Sequence, residues 1–275
     1  MCRWIAYSGK PIFMDELILV PSNSLIDQSL NAREGKIATN GDGFGVGWYD
    51  QKETPGLYRE ILPAWNDSNL LHLSNQIETP LFFAHVRAST GTATMRNNCH
   101  PFSYGHWLFM HNGQIGDYSL CRRKLERLLD DETYNHRLGT TDSELMFLLM
   151  IQNGLDSNPA NAISETIQQI SAISDECGAK KAFKLTICLS DGNRMFACRH
   201  SSAGTAPTLY WREDEDCIMI ASEPLDDDGE DWISVSPDSL LIIDKTATIV
   251  PLFPDHPLHH IWAKTGLNEP VEQAL

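Results

Sequence analysis

The chain has 275 residues, with 21 Lys or Arg against 37 Asp or Glu, giving a formal net charge of −16 at pH 7. Its length allows one large domain or two small ones, and 42% apolar with 9% aromatic residues excludes a disordered chain. The acidic field repels nucleic acid, and the longest unbroken apolar run, Leu145 to Ile151, is far too short to cross a bilayer. No nucleic-acid or membrane role is expected.

The first eight residues turn polar early and lack the apolar stretch of a secretion signal. Seven cysteines stand at 2, 99, 121, 177, 188, 198 and 217, an odd number with no C-x-x-C pair. A zinc ribbon or redox dithiol has no support, and Cys188 and Cys198, inside apolar runs, read as buried thiols. The expectation is a cytoplasmic protein in a reducing compartment.

Taken in chain order, residues 2–8, 44–49, 81–88 and 106–111 predict strands from their β-branched and aromatic content. Residues 117–130 predict a helix with Leu120, Leu125, Leu128 and Leu129 near one face. Thr141-Asp-Ser-Glu144 predicts a capping box ahead of the 145–151 run, with Asn153-Gly154 as its stop. A second helix begins near Pro159 and carries Ile163, Ile167, Ile170 and Ile173. Strands over 183–190 and 194–200 flank Asp191-Gly192, a hairpin signal, and extended runs recur at 208–212, 217–222, 232–236 and 239–250. From Pro251 the tail is expected to wrap the surface. No repeat or linker interrupts residues 1–275, so one domain is expected. Strands, then helices, then antiparallel strands imply an α+β arrangement of stacked sheets with helices outside.

Cys2 is the first candidate for chemistry. Removal of Met1 leaves a thiol and a free α-amine on one residue. The amine, at about pKa 7.7–8.0, can take the thiol proton and return it to a leaving group. Alternatively Cys2 is simply an early strand residue. Asn112-Gly113 is either a hairpin turn or a two-donor oxyanion hole, combining the Asn amide with the Gly N–H. Arg87, at the end of an apolar strand, needs an anion: an internal carboxylate or that of a substrate. Asp142 either favours the helix dipole or turns inward to hold an ammonium group.

Together these elements describe a receptor for an α-amino acid with an acyl group to attack. The chain resembles the class II (N-terminal-nucleophile, Ntn) glutamine amidotransferases, on six motifs in order: Cys2, Asp42-Gly-Phe-Gly45, His85-Val-Arg-Ala-Ser-Thr90, Asn98-Cys-His-Pro101, His111-Asn-Gly113 and Thr141-Asp-Ser-Glu144. Ser222-Glu-Pro224 adds to the likeness. Met1-Cys-Arg3 and residues 40–49 bring it nearest the short, stand-alone branch, similar to the γ-glutamyl amide hydrolase of the ergothioneine pathway. The resemblance implies an Ntn-hydrolase αββα sandwich with two mostly antiparallel sheets. It also implies a glutaminase-type amidohydrolase working without a cofactor through a γ-glutamyl thioester on Cys2. Asn112 and Gly113 would stabilise the oxyanion, Arg87 and Thr90 bind the α-carboxylate, and Asp142 the α-ammonium. The family's bulky residue after the arginine is Ala88 here, and the histidine after the threonine is Gly91, which bears on glutamine specificity.

Other features read as structure. His85, His100 and His111 suit supporting hydrogen bonds, since the proposed mechanism already has its base. His256, His259 and His260 lack metal spacing, the acidic run over 226–231 fails the EF-hand template, and Gly41, Gly43, Gly45 and Gly47 suit tight strand packing. No metal is expected. Three functional readings follow: a self-contained hydrolase of a small γ-glutamyl amide, an ammonia-donating subunit docked to a separate synthase, and a non-catalytic γ-glutamyl-ligand binding protein that keeps Met1.

Overall fold

A computed structural model describes residues 2–34, 39–89, 91–227 and 229–254. Thirteen strands among them form two sheets in which every pairing is antiparallel. The N-terminal part contributes β1 (Arg3–Phe13), β2 (Phe44–Tyr49), β3 (Gly56–Glu60), β4 (Glu78–Val86), β5 (Phe102–Tyr104) and β6 (Trp107–Gln114). The later part adds β7 (Lys184–Ser190), β8 (Met195–Ser201), β9 (Tyr210–Glu213), β10 (Cys217–Ala221), β11 (Ile233–Ser234), β12 (Ser239–Asp244) and β13 (Thr246–Pro251). One sheet runs β11-β9-β10-β1-β4-β2-β3, the other β13-β12-β8-β7-β6-β5. The helices are α1 (Asp15–Ile18), α2 (Leu25–Asn31), α3 (Ser68–Ser74), α4 (Tyr118–Glu126), α5 (Asp131–Asn135), α6 (Asp142–Gln152) and α7 (Pro159–Glu176).

Period-two alternation sorts the side chains into three cores. Trp4, Ala6, Leu81 and Phe83 face inward from the first sheet and meet Leu108, Met110, Cys188 and Ala197 of the second. The intervening residues Ile5, Tyr7, Phe82, Ala84 and Val86 point outward onto Ile18, Leu25 and Leu70 of α1, α2 and α3. On the other side Phe109, Leu185, Ile187 and Leu189 pack on α4, α6 and α7. Helix, sheet, sheet, helix: the αββα sandwich expected from the resemblance is the observed fold. Cys188 and Cys198 are buried free thiols, as their apolar neighbours imply.

Several local expectations need correction. The 117–130 helix ends at Glu126, and Asp130 starts α5 by accepting the Thr133 N–H at 2.8 Å. Leu120 is 58% exposed and the buried face is instead Cys121, Leu125 and Leu129. The 239–250 run is two strands, broken where Lys245 takes φ of 64°. Thr141 caps α6 by accepting the Glu144 N–H at 3.1 Å, but Glu144 does not complete a capping box. Its carboxylate accepts the Leu138 and Gly139 N–H groups at 2.9 and 2.7 Å, and burial raises its pKa. Residues 255–275, with His256, His259, His260 and most of the expected surface tail, lie outside the described residues.

The glycines of β2 explain how the sheets close over one end. A Cβ at Gly45 would stand 2.3 Å from the His100 carbonyl oxygen, and one at Gly47 3.0 Å from the Leu108 side chain. Bare backbone there lets the 96–101 segment and the second sheet settle against β2.

Candidate active site

The inward-facing alternation of three strands converges at one end of the intersheet layer. Cys2 precedes β1 on the side of Trp4 and Ala6, Arg87 follows β4 on the side of Leu81 and Phe83, and Asn112 continues Leu108 and Met110 along β6. Pairing of Arg3 with Val86 sets Cys2 beside Arg87. Cys2, Arg87, Asn112 and Gly113 all line one cleft of about 160 Å³, together with Ser89, Thr92, His100, His111 and Lys184. The four residues singled out for nucleophile, oxyanion hole and carboxylate binding are thus brought together.

Cys2 Sγ lies 3.6 Å from the Ala88 carbonyl oxygen, toward which it donates. Desolvation raises its thiol pKa above the ordinary 9.0, against the opposing effects of that hydrogen bond and of Arg87 and Arg3. The thiol is therefore a poor nucleophile until a base takes its proton. Its peptide group is firmly held. The Cys2 carbonyl accepts from Arg3 Nη1 at 3.1 Å, and Arg3 Nε lies 2.5 Å from Glu223 Oε1 in a fully buried ion pair. Ser222, next to Glu223, accepts the Trp4 N–H through its hydroxyl and donates its own N–H to the Trp4 carbonyl. The Ser222-Glu-Pro224 segment therefore anchors the strand that follows Cys2.

Arg87 is 3% exposed and has no carboxylate partner among the described residues. Its guanidinium donates to the Asp42 carbonyl at 3.1 Å, Ser89 Oγ at 3.2 Å and Thr92 Oγ1 at 2.6 Å. Asp42 in turn accepts the Ser89 N–H at 2.7 Å, holding the turn after Arg87. A buried cation with only neutral partners still calls for an anion.

Asn112 and Gly113 are not a hairpin turn; both lie within β6, paired with Thr186 and Leu185. Asn112 Nδ2 is buried with no hydrogen-bond partner among the described residues. Gly113 takes φ of 149°, and a Cβ there would stand 1.9 Å from the Lys184 carbonyl oxygen. Only glycine fits.

Asp142 is placed differently. It does not line the cleft, although its neighbours Thr141 and Ser143 do. Its carboxylate accepts the Ile115 N–H at 2.8 Å and the Ser143 N–H at 2.9 Å, tying the end of β6 to the start of α6. Thr90 lies outside the described residues.

The three histidines are buried, His100 and His111 in the cleft wall itself. His111 Nδ1 is 2.8 Å from Ser143 Oγ, His85 Nε2 is 3.3 Å from the His111 carbonyl oxygen, and the His85 and His100 rings stack at 4.3 Å. Desolvation lowers all three pKa values, that of His85 to about 3, so the imidazoles are neutral at physiological pH.

Two residues had no role assigned from the sequence, although Asn98 stands in one of the six motifs. Asn98 donates to the Ala93 carbonyl and accepts the Thr140 N–H, joining the segment after Arg87 to the start of α6. Lys184 enters the cleft because it pairs with Gln114, on the same face as Asn112. Its only sequence signal was its place at the head of a predicted strand. Among the described residues there is no group of three or more His, Cys, Asp or Glu suited to a metal ion, and no helix is long and apolar enough to cross a membrane.

The chain is similar to known proteins. The sequence profile of the class-II glutamine amidotransferases matches residues 16–211. The chain is 34% identical to the probable glutamine amidotransferase DUG3 of Saccharomyces cerevisiae, covering 91% of this chain and 84% of that one. It is 29% identical to the gamma-glutamyl-hercynylcysteine sulfoxide hydrolase of Mycolicibacterium smegmatis, covering 91% and 98%. Among solved structures, a glutamine aminotransferase class-II domain protein from Silicibacter pomeroyi superposes with a TM-score of 0.73 at 33% identity, over 91% of this chain and 99% of that one. The glutamine phosphoribosylpyrophosphate amidotransferase of B. subtilis shares the fold at a TM-score of 0.64 and 15% identity, over 91% and 49%. With its profile, its relatives and its sandwich in agreement, the chain belongs to the class-II glutamine amidotransferases.

Proposed function

We propose that the protein is a glutaminase-type amidohydrolase that cleaves the γ-amide of glutamine or of a γ-glutamyl conjugate through a thioester on Cys2. The observation that carries this reading is Arg87: a buried guanidinium without an internal carboxylate, in the cleft that also holds Cys2 and the unpartnered Asn112 amide. The family and the named hydrolase relative support the same activity.

In this mechanism Met1 is removed and the α-amine of Cys2 takes the thiol proton. Sγ bonds to the γ-carbonyl carbon, and the oxyanion accepts from Asn112 Nδ2 and the Gly113 N–H. As the carbonyl re-forms, the C–N bond breaks and the amine's proton passes to the departing nitrogen, releasing ammonia or a larger amine. Water, deprotonated by the same α-amine, then attacks the thioester carbonyl. The C–S bond breaks, giving a free carboxylate and the restored thiol. Arg87 holds the substrate α-carboxylate, with Thr90 as a second contact. Asp142 has lone pairs left beyond its two backbone bonds and takes the α-ammonium.

Cys2→Ala tests the assignment. It should abolish γ-glutamyl hydrolysis while leaving the circular dichroism spectrum unchanged, and mass spectrometry of the active chain should find Met1 absent. Undiminished turnover by the variant, or activity with Met1 in place, refutes the nucleophile.

A further inference from the structure

Neither Arg3 nor Glu223 lines the cleft, yet the two meet at the peptide group of the nucleophile. Both side chains are fully buried. Replacing a buried ion pair by apolar residues is often neutral or stabilising, so stability alone does not account for it. The geometry points the same way. An arginine that serves only as a counter-ion turns two parallel N–H groups onto its carboxylate. Here the closest approach to Glu223 is at Nε, Nη1 reaches back 3.1 Å to the Cys2 carbonyl, and Nη2 is buried without a hydrogen-bond partner among the described residues.

Glu223 is braced in turn. Its carboxylate accepts the Arg33 N–H at Oε2 and the Glu34 N–H at Oε1, both at 2.9 Å. The path from residues 33 and 34 through Glu223 and Arg3 thus ends on one atom, the Cys2 carbonyl oxygen. That atom matters because Cys2 stands outside the ladder: pairing of β1 begins at Arg3, opposite Val86. The peptide group joining Cys2 to Arg3 is planar, and the Cα of Cys2 lies in its plane. Holding the carbonyl therefore fixes that Cα, from which both the thiol arm and the α-nitrogen branch. Once Met1 is removed Cys2 is a chain terminus, and termini fray unless they are tied down.

We infer that Arg3, oriented by Glu223, is a positioning residue for the hydrolysis: its guanidinium holds the N-terminal residue so that sulfur and α-amine face the substrate carbonyl together. This rests on the hydrolase reading above and adds to it the group that aligns the nucleophile.

The test separates alignment from stability in the purified full chain. Arg3→Met alone leaves the Glu223 charge unpaired in the core, and Glu223→Gln alone does the same to Arg3, so each should lower the melting temperature. The double variant, Arg3→Met with Glu223→Gln, carries neither charge and should melt above both single variants, nearer to wild type. Its kcat on γ-glutamyl-p-nitroanilide should nevertheless stay about ten- to a hundredfold below wild type, the cost of a misplacement of about 1 Å. KM should stay within about twofold, because Arg87 is untouched. Arg3→Lys keeps the charge but lacks the second arm, and should likewise lose kcat and not KM. Wild-type kcat in the double variant or in Arg3→Lys, or a loss confined to KM, overturns the assignment and leaves the hydrolase intact. Activity that falls only in step with the melting temperature across the series makes the pair structural and overturns it as well. If the wild type cleaves neither this amide nor glutamine, the hydrolase reading falls and the inference with it.

Discussion

Lowering the pH should unfold this protein through its buried histidines. His85 has a folded pKa of about 3 against an ordinary 6.5, because burial strips water from its ring. The folded state therefore refuses a proton that the unfolded chain accepts. Stability from this group is complete above pH 6.5 and is lost as the pH falls from there towards 3. At pH 5 the deficit is 1.5 pH units, or about 2 kcal/mol for His85. His100 and His111 are shifted in the same direction, chiefly by the same desolvation, so they add to the loss. Against a typical stability of about 5–15 kcal/mol, the loss at His85 alone is a sizeable fraction. Glu144 works the other way, since its raised pKa adds stability as it protonates. A difference measurement removes it. Urea unfolding of wild type and His85→Gln at pH 8 and pH 5 should show a drop in stability smaller by about 2 kcal/mol in the variant. Glutamine keeps a donor for the His111 carbonyl but does not titrate. Equal drops would mean that His85 takes up its proton in the folded state as readily as in the unfolded one. It would then be open to proton transfer, and the Cys2 amine would lose its claim to be the sole base.

The remaining expectations concern the cleft. Asn112→Ala should lower kcat by about 10²–10³ while leaving the melting temperature unchanged or raised, because it removes a buried donor that has no partner; a parallel fall in both would make Asn112 structural. Gly113→Ala should lose about 2–4 kcal/mol, since a Cβ meets the Lys184 carbonyl at 1.9 Å in a backbone conformation reserved for glycine. An unchanged melting curve would contradict that geometry. Arg87→Lys should raise KM about tenfold or more with a smaller effect on kcat, as the planar fork is lost; an unaltered KM would remove Arg87 from substrate binding.

How much of this was legible in the sequence depends on the range of the interaction that decides each feature. β2 was read to the residue, because its apolar alternation ends in clear turn residues. α7 followed from Pro159 and the isoleucine spacing, and Ile163, Ile167 and Ile170 are indeed fully buried. α2 and α3 were overlooked although their caps are written in the chain: Ser24 accepts the Asp27 N–H and Asp67 the Leu70 N–H. Each has seven residues, too few to establish a period. Glu144 shows the limit of a local rule. The Thr-x-x-Glu pattern foretold the cap, but two N–H groups five and six residues upstream compete for the carboxylate and win. Asp142 is the same case over a longer range, captured by the Ile115 N–H 27 residues away.

The site itself was legible where its residues depend on chemical type, and illegible where they depend on register. Cys2, Arg87, Asn112 and Gly113 could be named because their chemical types complement one another and the motifs that carry them stand in the family's order, although each alone has an ordinary structural reading. Lys184 could not, since a lysine at the head of a strand is ordinary until Gln114 is found opposite it. That difference has a physical root. Folding satisfies nearly every buried polar group, yet this cleft leaves the Asn112 amide, His111 Nε2 and both nitrogens of His100 without partners among the described residues, and a guanidinium without an anion. Each is a cost to stability that a ligand can offset on binding, and the proposed substrate would meet two of them, with a carbonyl oxygen at Asn112 and a carboxylate at Arg87.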